Sequence, residues 1–422
     1  MGVKGLIQLI SQQAPAAIVT LPTSHFEGKR IAVDTHFQMY AFRSIAKKDV
    51  VKKHLDTIHI EDPPEEEIDV VWLKMIVRFA NDMKCKGITI NSVFDSDIKL
   101  YKADCHKMRG KDKKRKENIL ANTRKAIEEN PLLLNEAAIL ILQTEINGIN
   151  KLPRESLVKC KTLLKAMGVP VLTSKEEGES LCSMMNREKI VAAVYTKDGD
   201  TLLLGSPLVI IERGDPMLDV DQQLKTSFNC VRYDKIIEGL ELNHEEFVDL
   251  GIMQGTDFSH NIPGIGPARA LKNIKTYGRI HKLPCSIDIK TLNHVEARAQ
   301  FKTRKAYSLC EDADKAVFDY QPIDTDYLDH VLETLGIRDM YDEILQCDNC
   351  LKYYDLTDTS GLLDDMKNVD ILGWYYGNTL ESIPMEIVDA IENDGVPIES
   401  EEAEALIKTH YRGGMWISHP NN

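Results

Sequence analysis

The chain has 422 residues, 43% of them hydrophobic, so it can bury a sizeable core in one large domain with an extension, or in two domains. Nine cysteines scattered without a framework exclude a disulfide scaffold, and the absence of any run near the roughly 18 apolar residues of a membrane span excludes a spanning protein. The net charge of −14 disfavours nucleic acid only as an average: residues 311–422 carry 26 acidic and 6 basic side chains, which leaves 46 basic against 40 acidic in residues 1–310.

The start, Met1-Gly2-Val3-Lys4-Gly5-Leu6, is too short in apolar run for a signal peptide, and Leu6 stands where a myristoylation signal wants Ser or Thr. An intracellular, reduced protein without a membrane anchor is expected. Val3, Leu6, Ile7, Leu9 and Ile10 fall at helical spacing and predict a short amphipathic helix within residues 3–18. Lys29 to Asp34 reads as a strand ending on an acid. Thr89 to Asp95 repeats that pattern after a helix over Val70 to Met83. Strands alternating with helices predict the α/β class with a mainly parallel sheet. Glu61 to Glu67, with its proline pair, reads as a solvated surface turn.

Residues 99–116 set nine lysines and arginines against only Asp104 and Asp112, more than solvation of a surface helix requires. Residues 117–150 look helical, so 96–150 is an insertion between two parts of the sheet. Val169 to Leu172 and Ile190 to Tyr195 are β-branched runs that read as buried strands. Taken as parallel neighbours, they carry Glu177 and Glu179 at the head of one helix and Asp198 and Asp200 just past the second strand. Leu208 to Ile211 adds a strand, and a helix follows over Glu245 to Gln254. Gly255-Thr256-Asp257 comes next, then the turn Gly264-Ile265-Gly266-Pro267 with Arg269, Lys272, Lys275 and Arg279 behind it. No acidic side chain occurs from Ser259 to Lys282, which favours backbone phosphate as the partner of this basic helix.

Asp34, Asp95, Glu177, Glu179, Asp198, Asp200 and Asp257 thus stand at predicted strand or helix ends. Any one alone reads as a cap or turn former. Seven converging carboxylates without paired lysines repel one another, and two divalent cations would organise them. Hard oxygen donors suit Mg²⁺, with Mn²⁺ as a substitute.

The start Met1 to Leu6, Val33-Asp34, Val93-Phe94-Asp95, Glu177-Gly178-Glu179, Asp198-Gly199-Asp200, Gly255-Thr256-Asp257 and Gly264 to Pro267 together resemble the flap endonuclease/XPG family of structure-specific 5′ nucleases, in order and spacing over roughly residues 1–285. The resemblance implies a PIN-like nuclease core over 1–310, with a helical gateway/cap insertion at 96–150 and a helix-two-turn-helix at 250–282; the acidic C-terminal extension at 311–422, set apart by its charge, is unlike the familiar flap endonucleases. It further implies that the seven carboxylates bind the metals and that Lys102 and Arg109 contact the scissile phosphate. Tyr40 would stack on a base near the cut, or pack in the core behind the first helix, and Gly2 would lie near the active site once Met1 is removed. Gly264, Gly266, Arg269 and Lys272 would hold duplex DNA, in a motif that often binds K⁺.

The match has departures. Ser96-Asp97-Ile98 replaces the family's usual turn after Asp95, and the spacer from Asp95 to Glu177 is too short for the excision-repair branch. Gln222 to Phe228 is only a partial echo of a sliding-clamp motif, so clamp recruitment is not expected. The extension contains Trp374-Tyr375-Tyr376, Leu332, Leu335 and Ile344, which suits a folded region whose protein partner is unknown, and an atypical extension on this core would suit divergent members encoded by large DNA viruses. Cys347 and Cys350 form a lone pair without a second pair at zinc spacing. The expected activity is Mg²⁺-dependent 5′ flap endonuclease and 5′ to 3′ exonuclease action on branched or nicked DNA, in the nucleus or at a viral cytoplasmic replication site. Resolution of four-way junctions by the same fold, or a non-catalytic DNA-binding scaffold, are the alternatives.

Overall fold

The computed structural model describes residues 3, 5–96, 103–149, 152–213, 227–287, 289, 292–311, 313–351, 411–412 and 415–416. Helix α1 (Leu6–Gln13) is followed by strands β1 (Ile18–Pro22) and β2 (Arg30–Asp34), then by the long helices α2 (Thr35–Lys53) and α3 (Glu65–Cys85) and by β3 (Thr89–Phe94). The insertion holds α4 (Ala103–Glu129) and α5 (Glu136–Gly148), and α6 (Arg154–Ala166) follows it. The chain re-enters the sheet with β4 (Val171–Thr173), α7 (Gly178–Arg187), β5 (Ala193–Tyr195), the short α8 (Asp200–Leu203), β6 (Leu208–Arg213) and β7 (Ser227–Arg232).

These strands form one seven-stranded sheet in the order β1-β7-β6-β5-β2-β3-β4. The five strands from β6 to β4 are parallel, and β7 and β1 run antiparallel at the other edge. β3 is buried at all six positions, as a parallel strand covered on both faces must be. Val33 and Ile90 face Met39, Ile76 and Phe79 of α2 and α3. Ala32, Val93 and Val194 point the other way, into a core shared with α1 and α7.

Helices α9 (Tyr233–Leu240), α10 (His244–Gln254) and α11 (Pro267–Tyr277) follow the sheet, and α12 (His294–Gln300) and α13 (Ala306–Leu309) close this part of the chain. A capping box between Asn243 and Glu246 starts α10. The insertion has a small core of its own, in which Leu120 and Ile127 of α4 and Leu142 and Ile146 of α5 meet Val51 and Ile58.

Two expectations need correcting. β4 and β5 are not neighbours, because β3 and β2 lie between them; two apolar runs close in sequence cannot reveal which strands pair. Glu65 to Glu67 are not loop: they form the first turn of α3, where negative charge meets the positive end of the helix. Glu65 pairs with Arg43 and Glu67 with His54.

The acidic region begins on the sheet edge, where Cys310 bridges Ser174 and the Glu311 N–H donates to the Thr173 carbonyl at 2.8 Å. Further on, α14 (Thr325–Thr334) packs on α6 and α15 (Tyr341–Leu351) on α3. Lys84 meets Asp348 at 2.7 Å and Lys74 meets Asp339 at 2.5 Å, so acids of this region neutralise bases of the core. The Gln321 N–H donates to the Gly168 carbonyl at 2.8 Å, at a turn where Gly168 adopts φ +72° and a Cβ would collide with the Gln321 carbonyl. Met1–Asp355 forms one compact unit and Leu356–Asn422 a second, in which Tyr411–Arg412 pairs with Met415–Trp416 as a two-stranded ribbon, β8 and β9. Trp374-Tyr375-Tyr376 and residues 214–226 lie outside the described residues. Phe228, the end of the partial clamp echo, is a buried residue of β7.

Candidate functional site

Four adjacent parallel strands, β5, β2, β3 and β4, end at the same edge of the sheet. Open α/β sheets place their ligands outside this carboxyl edge. Asp34 is the last residue of β2 and caps α2, its Oδ1 accepting the Phe37 N–H at 3.2 Å. Asp95 follows β3 directly, and its Oδ1 accepts the Gly178 N–H at 2.8 Å, which ties β3 to the start of α7. Glu177 occupies the N-cap of α7, and Glu179 lies buried in the first turn. Asp198 follows β5, and its Oδ1 accepts the Asp200 N–H at 3.1 Å as α8 begins. Asp257 is half-buried in the turn from Thr256 to Ser259 that ends α10.

Electrostatics shows which of these come together. Burial, then the charge of Asp95 and more weakly that of Asp198, push the Asp34 carboxyl up to about 7, against hydrogen bonds from Phe37 and Thr196 that lower it. The buried Cys182 thiol, already pushed well up by desolvation, feels the charges of Asp34, Asp95 and Glu179. Acids from four separate elements therefore share one field. No group of three or more His, Cys, Asp or Glu side chains among the described residues is set as a ready-made metal cage. Oxygen-only donors under mutual repulsion fit a hard divalent cation, which would restore the ionised form of Asp34.

A pH dependence follows for the metal-free protein. Because the folded-state value of Asp34 lies above the unfolded value near 4, the native chain keeps this proton longer; its contribution to stability is full below about pH 4 and is lost as pH rises through about 7. Asp34→Asn should therefore be more stable than the parent by up to about 4 kcal/mol at about pH 8, with the advantage shrinking towards about pH 5. Urea unfolding in EDTA at both pH values measures this, and a gap that does not change with pH would contradict it.

Sequence reasoning missed two residues. The buried Thr196 donates its hydroxyl to Asp34 Oδ2 at 2.9 Å and accepts the Asp198 N–H at 3.1 Å, so it joins the ends of β2 and β5. His36 accepts the Asp95 N–H on Nδ1 at 3.1 Å, with that nitrogen 3.5 Å from Asp95 Oδ2. The only available signal was Thr196 standing two residues before an acid, a common turn pattern.

Lys102 and Gly2 lie outside the described residues, and Arg109 belongs to α4. Along α4, Arg115 and Lys116 pair with Asp112, and Lys113 with Glu117, so part of the basic run is neutralised within the helix. Tyr40 is half-buried on α2.

The glycine turn is open. Gly264 has φ +77°, Gly266 caps α11, and a Cβ at either would meet nothing within 4 Å. Arg269 and Lys272 are exposed beside it, with Arg269 Nη1 donating to the Gly264 carbonyl at 2.8 Å. The other two bases of the run do not share this setting. Arg279 pairs with Asp249 and Glu245, and Lys275 with Glu241. Their carboxylates come from α10 and the loop before it, outside the acid-free segment. Among the described residues, no helix is long and apolar enough to cross a membrane.

The chain matches the XPG N-terminal domain over residues 1–118 and the XPG I-region over residues 168–257. It is 30% identical over 292 residues to Flap endonuclease 1 of Drosophila mojavensis, covering 68% of each chain. To Flap endonuclease 1 of Phaeodactylum tricornutum it is 29% identical over 301 residues, which are 69% of this chain but 64% of that relative, just under two thirds of its length. Flap endonuclease-1 from Methanococcus jannaschii superposes with a TM-score of 0.53 at 19% identity, covering 78% of this chain and 96% of that one. The catalytic core of Rad2 in complex with DNA substrate superposes with a TM-score of 0.51 at 17% identity, covering 82% and 98%. At such identities these two structures speak to the fold, an α/β nuclease architecture with a mostly parallel sheet.

Proposed function

The chain belongs to the flap endonuclease/XPG family, and from that premise we propose that it is a divalent-metal-dependent, structure-specific 5′ nuclease of branched or nicked DNA. Its activities would be 5′ flap endonuclease and 5′ to 3′ exonuclease, serving replication, repair or recombination. One observation carries the reading: Asp34 at the end of β2, Asp95 directly after β3, Asp198 after β5 and Glu179 in the first turn of α7 all stand at the carboxyl edge of the sheet.

In this reading Asp34, Asp95, Glu177, Glu179, Asp198, Asp200 and Asp257 hold two Mg²⁺ ions, with Mn²⁺ able to substitute. When bound, the pair supplies charge neutralisation and water activation for an in-line phosphodiester displacement. Thr196 holds the Asp34 carboxylate in one orientation, and His36 braces the strand end that carries Asp95. Lys102 and Arg109 would draw the scissile phosphate towards the carboxylates. The N–H groups of the Gly264–Gly266 turn and the start of α11, with Arg269 and Lys272, grip duplex phosphates, and K⁺ would bind at this turn. Tyr40 would stack on a base at the cut, and the N-terminus exposed at Gly2 by removal of Met1 would serve the same site.

The test is a panel of end-labelled DNAs with Mg²⁺: a 5′ flap, a 3′ flap, a nicked duplex and a four-way junction. Cutting confined to the 5′ flap and the nick is expected. Paired symmetric nicks in the junction would replace the flap reading with a resolvase, and binding without cleavage would leave only a DNA-binding scaffold. Thr196→Val, which keeps shape but removes the hydroxyl, should slow single-turnover cleavage about tenfold with little change in DNA affinity, because it deletes one hydrogen bond to a charged group. An unchanged rate would show that Thr196 has no part in orienting Asp34.

A further inference from the structure

Cys85 ends α3 and Cys347 lies in the second turn of α15, 262 positions away, yet their Sγ atoms are 2.9 Å apart. Neither is in a disulfide; Cys85 is exposed and Cys347 half-buried. The pairing is not an isolated coincidence of two surface groups. α15 packs along α3, and the flanking contacts Lys84–Asp348 at 2.7 Å and Asn81–Glu343 at 3.4 Å hold the two helices in register on the same side.

The packing of α15 on α3 thus brings the two sulfurs to a separation from which a small side-chain rotation would close a bond of about 2.05 Å. Cys85 is the one open to solvent, and so the one a peroxide reaches first.

We propose that Cys85 and Cys347 are a reversible oxidation site, forming a disulfide that fastens the start of the acidic C-terminal region to the nuclease core. The oxidant is a peroxide. The Cys85 thiolate attacks one oxygen of hydrogen peroxide, the O–O bond breaks, and a sulfenic acid and hydroxide result. The Cys347 sulfur then attacks the Cys85 sulfur, the S–O bond breaks, and the oxygen leaves as water with the proton from the Cys347 thiol. Two thiols and one peroxide thus become one disulfide and two waters. The bond would close a loop through most of the described core, so its main physical effect is on the unfolded chain.

The experiment uses the full-length protein, reduced, freed of reductant, treated with hydrogen peroxide, alkylated and digested without reduction. A linked peptide pair containing Cys85 and Cys347 is expected, with a Tm higher by about 5 °C that dithiothreitol reverses. Cys85→Ser, a change at an exposed position, should lose both effects, and Cys350→Ser should keep both. A Cys347–Cys350 link, oxidation of Cys85 without any link, or thiols that remain fully alkylatable would each overturn the proposal. So would protection of these cysteines from alkylation by added Zn²⁺ in the reduced protein, which would make the pair part of a metal site instead.

Discussion

Asp198→Ala is expected to lower single-turnover cleavage of a 5′ flap by at least about a thousandfold while changing DNA affinity less than about threefold. The residue does three things at once. Its carboxylate contributes to the field that lifts Asp34, its Oδ1 accepts the Asp200 N–H, and its own N–H bonds Thr196. Alanine keeps the last of these and removes the other two, so the proposed metal site loses a donor and the first turn of α8 loses its anchor. The grip on duplex DNA is proposed to lie elsewhere, on the Gly264–Gly266 turn and α11, so binding should survive. Stability in EDTA should be equal or slightly raised, since a repelling charge has gone. Normal turnover by a folded variant would remove the two-metal mechanism; lost binding together with a fallen Tm would instead point to a collapsed fold.

Asp249→Asn should cost roughly 3 kcal/mol of stability and lower the Tm by about 5 to 10 °C. Asp249 is fully buried on α10 and accepts from Arg279 Nε at 2.9 Å, from the Ile280 N–H at 3.1 Å, and from Arg298 through Nε at 2.8 Å and Nη2 at 2.5 Å. One carboxylate therefore pins the segment after α11 and the helix α12 to α10. Asparagine retains the shape but turns an amide towards donors and leaves two guanidinium groups without their counter-charge. Both arginine side chains keep 21% and 25% of their surface exposed, so water softens the loss and the lower end of the usual range for a broken buried pair applies. The same geometry separates the bases of the glycine-turn segment. Arg269→Ala and Lys272→Ala should each reduce the salt dependence of DNA binding by about one ion, whereas Arg279→Ala should leave that slope unchanged and lower the Tm. A reduced slope in Arg279→Ala would return it to the DNA-contacting set.

Much of the candidate site could be read in advance because its residues obey local rules. Asp34 and Asp95 end β-branched runs, and an acid at a strand end is visible from composition alone. Glu177, Glu179, Asp198 and Asp200 stand beside glycines at the starts of helices, where capping chemistry marks them. The order of these blocks is what resembles the family, and the fold class followed from strands alternating with helices. Periodicity could not say that β4 and β5 are separated by β3 and β2, because strand order depends on long-range pairing that leaves no trace in either strand. Nor could it show that Glu65 to Glu67 belong to α3, since their partners Arg43 and His54 come from the preceding helix and the residue after it.

By itself, then, the chain of residues determined the elements, the carboxylates at their ends and the uneven charge, because each of these is set by neighbours a few positions away. Tertiary structure alone decided what the charges meet. It brought Thr196 under Asp34, gave Arg279 to Asp249 rather than to solvent, laid the acidic helices α14 and α15 on α6 and α3, and set Cys85 against Cys347 across 262 residues. A side chain's charge and hydrogen-bonding capacity are written in its identity, but whether another residue or a ligand satisfies them depends on which distant segments the packed core brings within about 3 Å.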